Sequence, residues 1–272
     1  MLLKDKLSEL GRDGKALLAT NFYNFETLSG VLQAAALKNR SVILQLSESS
    51  IHYLGMDVAV AMARPALKQY GVKGWLHLDH GSSVEMVQRC LDAGFDSVMI
   101  DASEKPFDEN VKITSQVVRI AEKYQANVEA ELGYVAKLGQ LQEVDQFTQP
   151  EQAARFVQET GVDALAVAIG SAHGFYKATP RLQLDLLEKI HQATPAALVL
   201  HGSSGLPNDQ LRDAIQRGIV KVNLATEIKN IFMRKLQEVL SDNEEIDLRK
   251  VFPRATESVT SLIAEKLDIV SP

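Results

Sequence analysis

The stretch LDAGFDSVMID (residues 91–101) passes from the end of an amphipathic helix, through a glycine, into a short apolar strand. The same order recurs in ETGVDALAVAI (159–169) and in QRGIVKVNL (216–224). A glycine in this place tolerates the left-handed conformation in which many helices end. The repetition predicts strands that alternate with helices, which is the pattern of a parallel sheet.

Eight strand–helix units of this kind follow one another along the chain. Their strands are nearly continuous apolar runs, as expected where both faces are covered. The predicted strands are ALLATN (16–21), SVILQLS (41–47), WLHLD (75–79), SVMID (97–101), NVEAEL (127–132), DALAVAI (163–169), ALVLH (197–201) and IVKVNL (219–224).

Eight such units in 272 residues predict an α/β protein with a single (β/α)8 TIM barrel domain over residues 1–272. The segment from about 245 to 272 has the pattern of a C-terminal helical tail. A doubly wound open sheet is the main alternative. The absence of a GxGxxG pattern after the first strand argues against that alternative.

The composition excludes several classes of function. A net charge of -6, with no basic run, argues against nucleic-acid binding. The charged start MLLKDKLSEL is neither a signal peptide nor a membrane span, and we expect no membrane partner. The single cysteine, Cys90, lies on an apolar helix face and is interpreted as a packing residue. We therefore expect a protein of the reducing cytoplasm.

Polar side chains stand at the ends of the predicted strands, which in a barrel converge on the rim where active sites form. Three histidines follow strands three, six and seven, each next to a glycine: His80, His173 and His201. Any one of them is explained by a hydrogen bond to the backbone. Together, three imidazoles from different strands predict a Zn²⁺ site with an open fourth position. His77, inside its strand, is interpreted as buried structure or as a partner of a ligand.

Two loops after strands seven and eight predict a phosphate site. HGSSG (201–205) and NLAT (223–226) offer backbone N–H groups, hydroxyls and an amide at the place where many barrels bind phosphate. Ordinary turns with Ser and Thr helix caps are the alternative. A serine-hydrolase elbow is excluded because the GxSxG spacing is absent.

These motifs resemble those of the class II, metal-dependent ketose-bisphosphate aldolases, the group that contains fructose- and tagatose-bisphosphate aldolases. The resemblance covers nearly the whole chain, in the family's order and close to its spacing. It rests on NFYNFET (21–27), LHLDHGSS (76–83), AGFDSVMIDAS (93–103), VEAELG (128–133), LAVAIGSAHGFY (165–176), LVLHGSSGLP (198–207) and KVNLATE (221–227).

The resemblance implies a role for each matching position. His80, His173 and His201 would hold one catalytic Zn²⁺ per subunit, and Asp79 would move the proton of the hydroxyl at the cleaved bond. Asp101 and Glu131 would be alternative metal ligands or partners of the histidines. The phosphate of dihydroxyacetone phosphate would be bound by Gly174, Gly202, Ser203, Ser204, Asn223, Leu224, Ala225 and Thr226. The family also implies a monovalent cation, Na⁺ or K⁺, near that phosphate and a homodimer or homotetramer.

The sequence departs from the family after VEAELG. The family usually has a glycine-rich loop there, followed by acidic residues, whereas this chain has GYVAKLGQLQEVDQFTQP (133–150). Glu143 is the nearest candidate for the missing acid, and Lys137 for contact with an anion at the distal end of the substrate. Weaker candidates near the rim or in the tail, each also explained as an ordinary polar or surface residue, are Asn21, Ser47, Ser50, Arg249 and Arg254.

The expected activity is reversible, metal-dependent cleavage of a phosphorylated ketose to dihydroxyacetone phosphate and a three-carbon aldehyde through a Zn-stabilised enediolate. The substrate is a ketose 1,6-bisphosphate, or a 1-phosphate with another terminal anion such as a sulfonate or the carboxylate of a deoxy-keto acid. No predicted strand ends in a lysine suited to a Schiff base. Two alternatives remain: a metal-dependent hydrolase on the same barrel, and a sugar-phosphate-binding homologue without turnover.

Overall fold

A computed structural model describes residues 1–135, 147–176, 180–241 and 244–272. Its eight strands are all parallel and form a closed barrel in sequence order, with β8 pairing with β1. The predicted TIM barrel is therefore confirmed. The strands are β1 (Leu17–Asn21), β2 (Val42–Ser47), β3 (Gly74–Gly81), β4 (Ser97–Ile100), β5 (Asn127–Leu132), β6 (Ala164–Val167), β7 (Ala197–Leu200) and β8 (Ile219–Leu224).

Helices surround the barrel between successive strands. The glycines that mark the helix–strand transitions adopt the expected positive φ, with 90° at Gly94, 69° at Gly161 and 113° at Gly218. In the described parts of the chain the α-helices are α1 (Leu3–Arg12), α2 (Phe25–Lys38), α3 (Glu48–Leu54), α4 (Met56–Tyr70), α5 (Val84–Asp92), α6 (Phe107–Ala121), α7 (Pro150–Thr160), α8 (Leu184–Ala193), α9 (Asn208–Gln216), α10 (Thr226–Ser241) and α11 (Leu248–Val270).

The two ends of the chain are helical. Helix α1 was not predicted from the sequence; its buried leucines pack with Trp75 across the N-terminal end of the barrel. The predicted C-terminal tail is α11, which packs along α2 and α10. No helix among the described residues is both long and apolar enough to cross a membrane.

The alternation of side chains along the strands decides which residues reach the site. On β3, Leu76 and Leu78 belong to the buried core between the strands and the helices. Burying each such leucine stabilises the fold by about 1.5–3 kcal/mol. Since successive side chains point to opposite faces, His77 and Asp79 face the barrel interior instead. Packing of the leucines therefore fixes the direction of Asp79.

Candidate metal centre and active site

The three predicted histidines lie together at the C-terminal rim of the barrel. The ring centroid of His80 is 5.0 Å from that of His173 and 4.7 Å from that of His201. Nitrogen Nε2 of His80 lies 3.0 Å from Nδ1 of His201. Two nitrogens bound to one tetrahedral Zn²⁺ are separated by about 3.3 Å, because each Zn–N bond is about 2.0–2.1 Å. The spacing of these rings therefore suits a shared metal ion.

Glu131 completes the cluster. One ligand atom from each of His80, Glu131, His173 and His201 lies within 4.8 Å of the other three. Glu131 is 2% exposed, and its Oε1 accepts a hydrogen bond from the backbone N–H of Val135. Its Oε2 is buried and has no hydrogen-bond partner among the described residues. A buried carboxylate oxygen without a donor is costly unless a cation is bound nearby. Imidazole nitrogens and one carboxylate are also the donor set that Zn²⁺ prefers, so these residues fit the metal.

The backbone at His80 is unusual. Its φ is 53°, in the left-handed region that residues other than glycine seldom adopt. The pairing of β3 with β4 shifts register between Leu78 and Gly81 at the same place. This change ends the strand alternation, so that His80 and Asp79 both reach the rim. Such local strain of about 1–3 kcal/mol is typical of functional sites.

Asp101 orients His80. Its Oδ2 lies 2.7 Å from Nδ1 of His80, and its Oδ1 accepts hydrogen bonds from the backbone N–H and the hydroxyl of Ser103. Burial raises the pKa of Asp101, but the hydrogen bonds from His80 and Ser103 and the nearby positive charge outweigh it and hold the pKa below its ordinary value. Asp101 is therefore an anion that engages Nδ1 of His80 and leaves Nε2 directed at the cluster.

Asp79 is a buried carboxylate beside the histidines. The side-chain amide of Asn21 donates a hydrogen bond of 2.9 Å to its Oδ2. Its Oδ1 is buried, and no residue in the described part of the chain forms a hydrogen bond with it. Burial raises the pKa of Asp79, but the charges of His80 and His201 and the Asn21 hydrogen bond hold it below the ordinary value. An ionised carboxylate with one unengaged oxygen is suited to accept a proton from a bound molecule.

The pKa values of the other cluster residues differ according to their partners. Burial lowers the pKa of His173 to about 3, with a contribution from the charges of His201 and His80. Burial also lowers the pKa of His80, but Asp101, Asp79 and Glu131 raise it to about 9. Burial raises the pKa of Glu131 to about 8. A divalent cation would lower the pKa of His80 and of Glu131, since it favours neutral imidazoles and an ionised carboxylate, and it would keep His173 neutral.

The two predicted phosphate loops are adjacent. The hydroxyl of Ser203 donates to the backbone oxygen of Asn223 at 2.5 Å, and the backbone N–H of Glu227 donates to the hydroxyl of Ser204 at 3.3 Å. Gly202 and Gly174 have φ values of 67° and 91°. Thr226 begins α10, directly after Leu224 and Ala225, so a helix N-terminus faces this loop pair. The carboxylate of Glu227 lies here too, and Lys266 pairs with it at 3.3 Å.

The hydroxyl of Tyr176 holds the loop of His173 against the loop of His201. It accepts a hydrogen bond of 2.9 Å from the backbone N–H of Ala172 and donates one of 2.6 Å to the backbone oxygen of Gly202. One side chain outside the histidine cluster thereby ties together the loops of two candidate ligands, His173 and His201.

A cavity of about 320 Å³ opens onto the cluster and is lined by His80, Asp101, Glu131 and His173, among others. A larger groove of about 870 Å³ lies at the opposite end of the barrel, around Arg64 and Trp75. The larger groove contains none of the clustered histidines or acids. Chemistry rather than size therefore selects the rim cavity as the candidate site.

The remaining predicted residues are not part of the histidine cluster or lie outside the described residues. Ser47 caps α3 by accepting from the backbone N–H of Ser50, and it pairs with Asp79 across the β2–β3 ladder. Arg249 forms an ion pair with Asp247, and Arg254 is exposed on α11. Lys137 and Glu143 lie outside the described residues.

Sequence reasoning missed two residues beneath the histidine cluster. Glu129, buried in β5, lies with its Oε1 2.8 Å from Nε2 of His201. Its Oε2 accepts a hydrogen bond from the ammonium of Lys221, and both side chains of this ion pair are 1% exposed. The available signal was the charged residues inside two strands, the two glutamates of VEAEL and the lysine of IVKVN. Charged residues are almost never fully buried unless they are paired.

Comparisons with known proteins identify the family. The family described as "Fructose-bisphosphate aldolase class-II" matches residues 2–271. The chain is 38% identical to a fructose-bisphosphate aldolase of Geobacillus stearothermophilus, over 97% of this chain and 94% of that one. It is 37% identical to the D-tagatose-1,6-bisphosphate aldolase subunit GatY of Klebsiella oxytoca, again over 97% of this chain and 94% of that one.

A solved structure has the same fold over the full length. The crystal structure of the YdjI aldolase from Escherichia coli K12 superimposes with a TM-score of 0.89, at 30% identity, over 100% of this chain and 98% of that one. The family match, these relatives and the barrel that carries the cluster agree with one another. The chain belongs to the class II fructose-bisphosphate aldolase family and is a carbon–carbon lyase.

Proposed function

We propose that this enzyme reversibly cleaves a ketose 1-phosphate, with a phosphate or another anion at its distal end, between C3 and C4. The products are dihydroxyacetone phosphate and a three-carbon aldehyde. One observation carries the proposal: His80, His173, His201 and Glu131 converge beside Asp79, a buried carboxylate with one unengaged oxygen. That combination places a cation site next to a proton acceptor, which is what cleavage of a hydroxylated carbon chain needs.

Asp79 performs the proton transfer in this proposal. Its free Oδ1 takes the proton of the C4 hydroxyl while the C3–C4 bond breaks and C4 becomes an aldehyde. The electron pair of the broken bond passes toward C3 and the C2 carbonyl. Asn21 keeps Oδ2 engaged and so fixes the direction of the carboxylate. In the synthetic direction the same group returns the proton to the aldehyde oxygen.

Zn²⁺ is the proposed cofactor, held by His80, His173 and His201, with Glu131 as a further ligand or a partner. When bound, it would supply Lewis-acid stabilisation of the negative charge that develops on the substrate oxygens. The ion's preference for neutral imidazoles agrees with the low pKa of His173. The return of a proton to C3 needs an acid, for which Glu143 remains the candidate.

The phosphate of the substrate binds, in this proposal, at the paired loops that contain Gly202, Ser204, Asn223 and Thr226. Backbone N–H groups and the N-terminus of α10 favour an anion there. The adjacent Glu227 does not oppose it fully because Lys266 neutralises that carboxylate. A monovalent cation beside the phosphate, a homodimer or homotetramer, and a cytoplasmic location complete the proposal.

The test is an assay of the purified enzyme with ketose phosphates that differ in configuration and in the terminal anion. Formation of dihydroxyacetone phosphate is followed by coupled NADH-dependent reduction. We expect activity that a chelator abolishes and added Zn²⁺ restores, with no covalent trapping by borohydride. Release of inorganic phosphate instead would favour the metal-dependent hydrolase. Tight binding of a ketose phosphate without any product would favour the sugar-phosphate-binding homologue without turnover.

Two variants separate metal binding from proton transfer. His201→Ala should lose the metal. Asp79→Ala should keep zinc bound but lose cleavage by about 10²–10⁴-fold, the usual contribution of a positioned general base. Full turnover in Asp79→Ala would refute the assigned role of Asp79.

A further inference from the structure

His201 must present one particular ring nitrogen to the cluster. Its Nδ1 is the nitrogen that faces Nε2 of His80, at 3.0 Å. A neutral imidazole has one N–H and one lone pair, so Nδ1 can bind a metal only when the proton is on Nε2. The amide nitrogen of Asn223 lies 3.1 Å from Nε2 and 3.4 Å from Nδ1. An amide NH₂ group donates to whichever of the two nitrogens carries the lone pair, so Asn223 does not itself fix the proton. Glu129 does fix the proton, because an ionised carboxylate only accepts and its Oε1 lies 2.8 Å from Nε2.

The direction of every hydrogen bond below His201 follows from Lys221. An ammonium group donates only, so Lys221 donates to Oε2 of Glu129 and to Nε2 of His77, which lies 3.3 Å away. His77 must then carry its proton on Nδ1 and donate it to the hydroxyl of Ser97, at 2.7 Å. Glu129 is left as an acceptor for the Nε2–H of His201.

We propose that Glu129, held by Lys221, is a positioning residue that fixes the proton of His201 on Nε2 and so commits Nδ1 to the metal. Asp101 has the opposite effect on His80, where it engages Nδ1 and leaves Nε2 for the metal. The two neighbouring ligands therefore use different nitrogens because each carboxylate approaches a different side of its ring. This inference rests on the metal site of the proposed function and extends it below the rim.

Replacing Glu129 with Gln should move the ring proton of His201 from Nε2 to Nδ1. The amide oxygen would turn to the ammonium of Lys221, because the amide NH₂ group cannot accept from it. The NH₂ group would then face Nε2 of His201, which must accept, so the proton would move to Nδ1. We expect zinc affinity to fall by about 10–100-fold, as is usual when a ligand's hydrogen-bond partner is lost.

A second substitution should restore the original tautomer. In Glu129→Gln/Lys221→Met the ammonium is absent, so the amide oxygen is free to accept from the Nε2–H of His201. We therefore expect the double variant to bind zinc more tightly than Glu129→Gln alone. A role limited to packing predicts the opposite order, since the double variant removes more native contacts.

Asp163→Asn is the matched control. Asp163 is a partly buried carboxylate directly before β6, and its Oδ2 accepts a hydrogen bond from the backbone N–H of Val128 at 2.9 Å. It has no contact with the histidine cluster among the described hydrogen bonds and ion pairs. Its replacement should leave zinc affinity unchanged.

The experiment measures zinc affinity by competition with a chromophoric chelator, and the His201 tautomer by ¹⁵N NMR of metal-free, histidine-labelled protein. Wild type should carry the proton on Nε2 and Glu129→Gln on Nδ1. Equal affinities and an unchanged tautomer in folded Glu129→Gln would overturn the inference while leaving the aldolase proposal intact. Failure of the wild type to bind zinc would instead refute the proposed metal site, whatever the tautomer.

Discussion

Gly202→Ala perturbs the contact between the loops that carry two of the proposed ligands. Gly202 has φ of 67°, and a Cβ at this position would lie 2.4 Å from the backbone oxygen of Ala172, next to His173. Left-handed backbone in a residue with a side chain costs about 1–2 kcal/mol. Overpacking against rigid backbone adds about 1–3 kcal/mol. We therefore expect a total loss of about 2–5 kcal/mol in the free energy of unfolding.

Gly14→Ala separates the two contributions. Gly14 has φ of 63°, close to that of Gly202, but a Cβ there would have no atom within 4 Å. Gly14→Ala should therefore lower the free energy of unfolding only by the cost of the left-handed backbone, about 1–2 kcal/mol. Urea denaturation of both variants, in chelator and in excess zinc, gives the loss in the free energy of unfolding that each substitution causes. In chelator, the loss in Gly202→Ala minus the loss in Gly14→Ala measures the contact with Ala172.

Zinc affinity provides the second measurement. Because the added methyl group pushes the loop of His173 away from His201, Gly202→Ala should bind zinc at least about 10-fold more weakly, which corresponds to about 1.4 kcal/mol. Gly14→Ala should bind it as the wild type does. Equal destabilisation of the two variants, with equal zinc affinity, would refute the close contact between these loops.

Three further predictions concern other parts of the molecule. Cys90 is fully buried, and burial raises the pKa of its thiol to about 12. Iodoacetamide should therefore alkylate Cys90 about 10³-fold or more slowly in the native than in the unfolded protein, because the reagent reaches it only when the fold opens, at a cost of about 5 kcal/mol or more. Similar rates in the two states, measured by mass spectrometry, would contradict this. Burial, and next the charge of Lys221, lower the pKa of His77 to about 3. Neutral His77 therefore makes its full contribution to the free energy of unfolding above about pH 6.5, and this contribution is lost as the pH falls toward 3, because the unfolded chain takes up the proton first. Between pH 7.5 and 5 the wild type should therefore lose about 2 kcal/mol more than His77→Asn in denaturation experiments, and parallel curves would count against it. Tyr176→Phe removes the hydroxyl that joins Ala172 to Gly202 and should lower stability by about 1–2 kcal/mol and weaken zinc binding; an unchanged affinity would show that this bridge does not position His173.

The sequence was sufficient to predict the barrel because each strand carries a local signal. Apolar runs bounded by glycines recur at every unit, and the predicted and observed bounds of β5 and β8 are identical. The missed helix α1 does have a signal, its leucines at helical spacing (Leu3, Leu7 and Leu10), whereas the missed helix α3 does not. Helix α3 is only seven residues long and follows β2 directly, and its polar start ESS has the composition of a loop. Its cap by Ser47 depends on a turn that periodicity does not detect.

The rim residues were also predictable, since strand ends in a barrel converge by construction. His80, His173 and His201 were therefore expected to lie close together before any distance was known. The tautomers were not predictable in this way. They depend on which side of each ring a carboxylate approaches, and Glu129 and Asp101 come from different strands. Strand register and side-chain direction decide that relation, and one sequence contains neither quantity.

The Lys221–Glu129 ion pair needs an explanation other than stability. Replacing a buried ion pair by apolar residues of similar size is often neutral or stabilising, because desolvation offsets the attraction. Elsewhere the barrel interior does use apolar side chains, with Met99, Ala166 and Val199 in one buried cluster. The charged pair lies instead beneath His201, where its carboxylate contacts the ring nitrogen that faces away from His80. A barrel built only for stability would extend the apolar cluster across this position, so the ion pair is best explained by the proton that it fixes on His201.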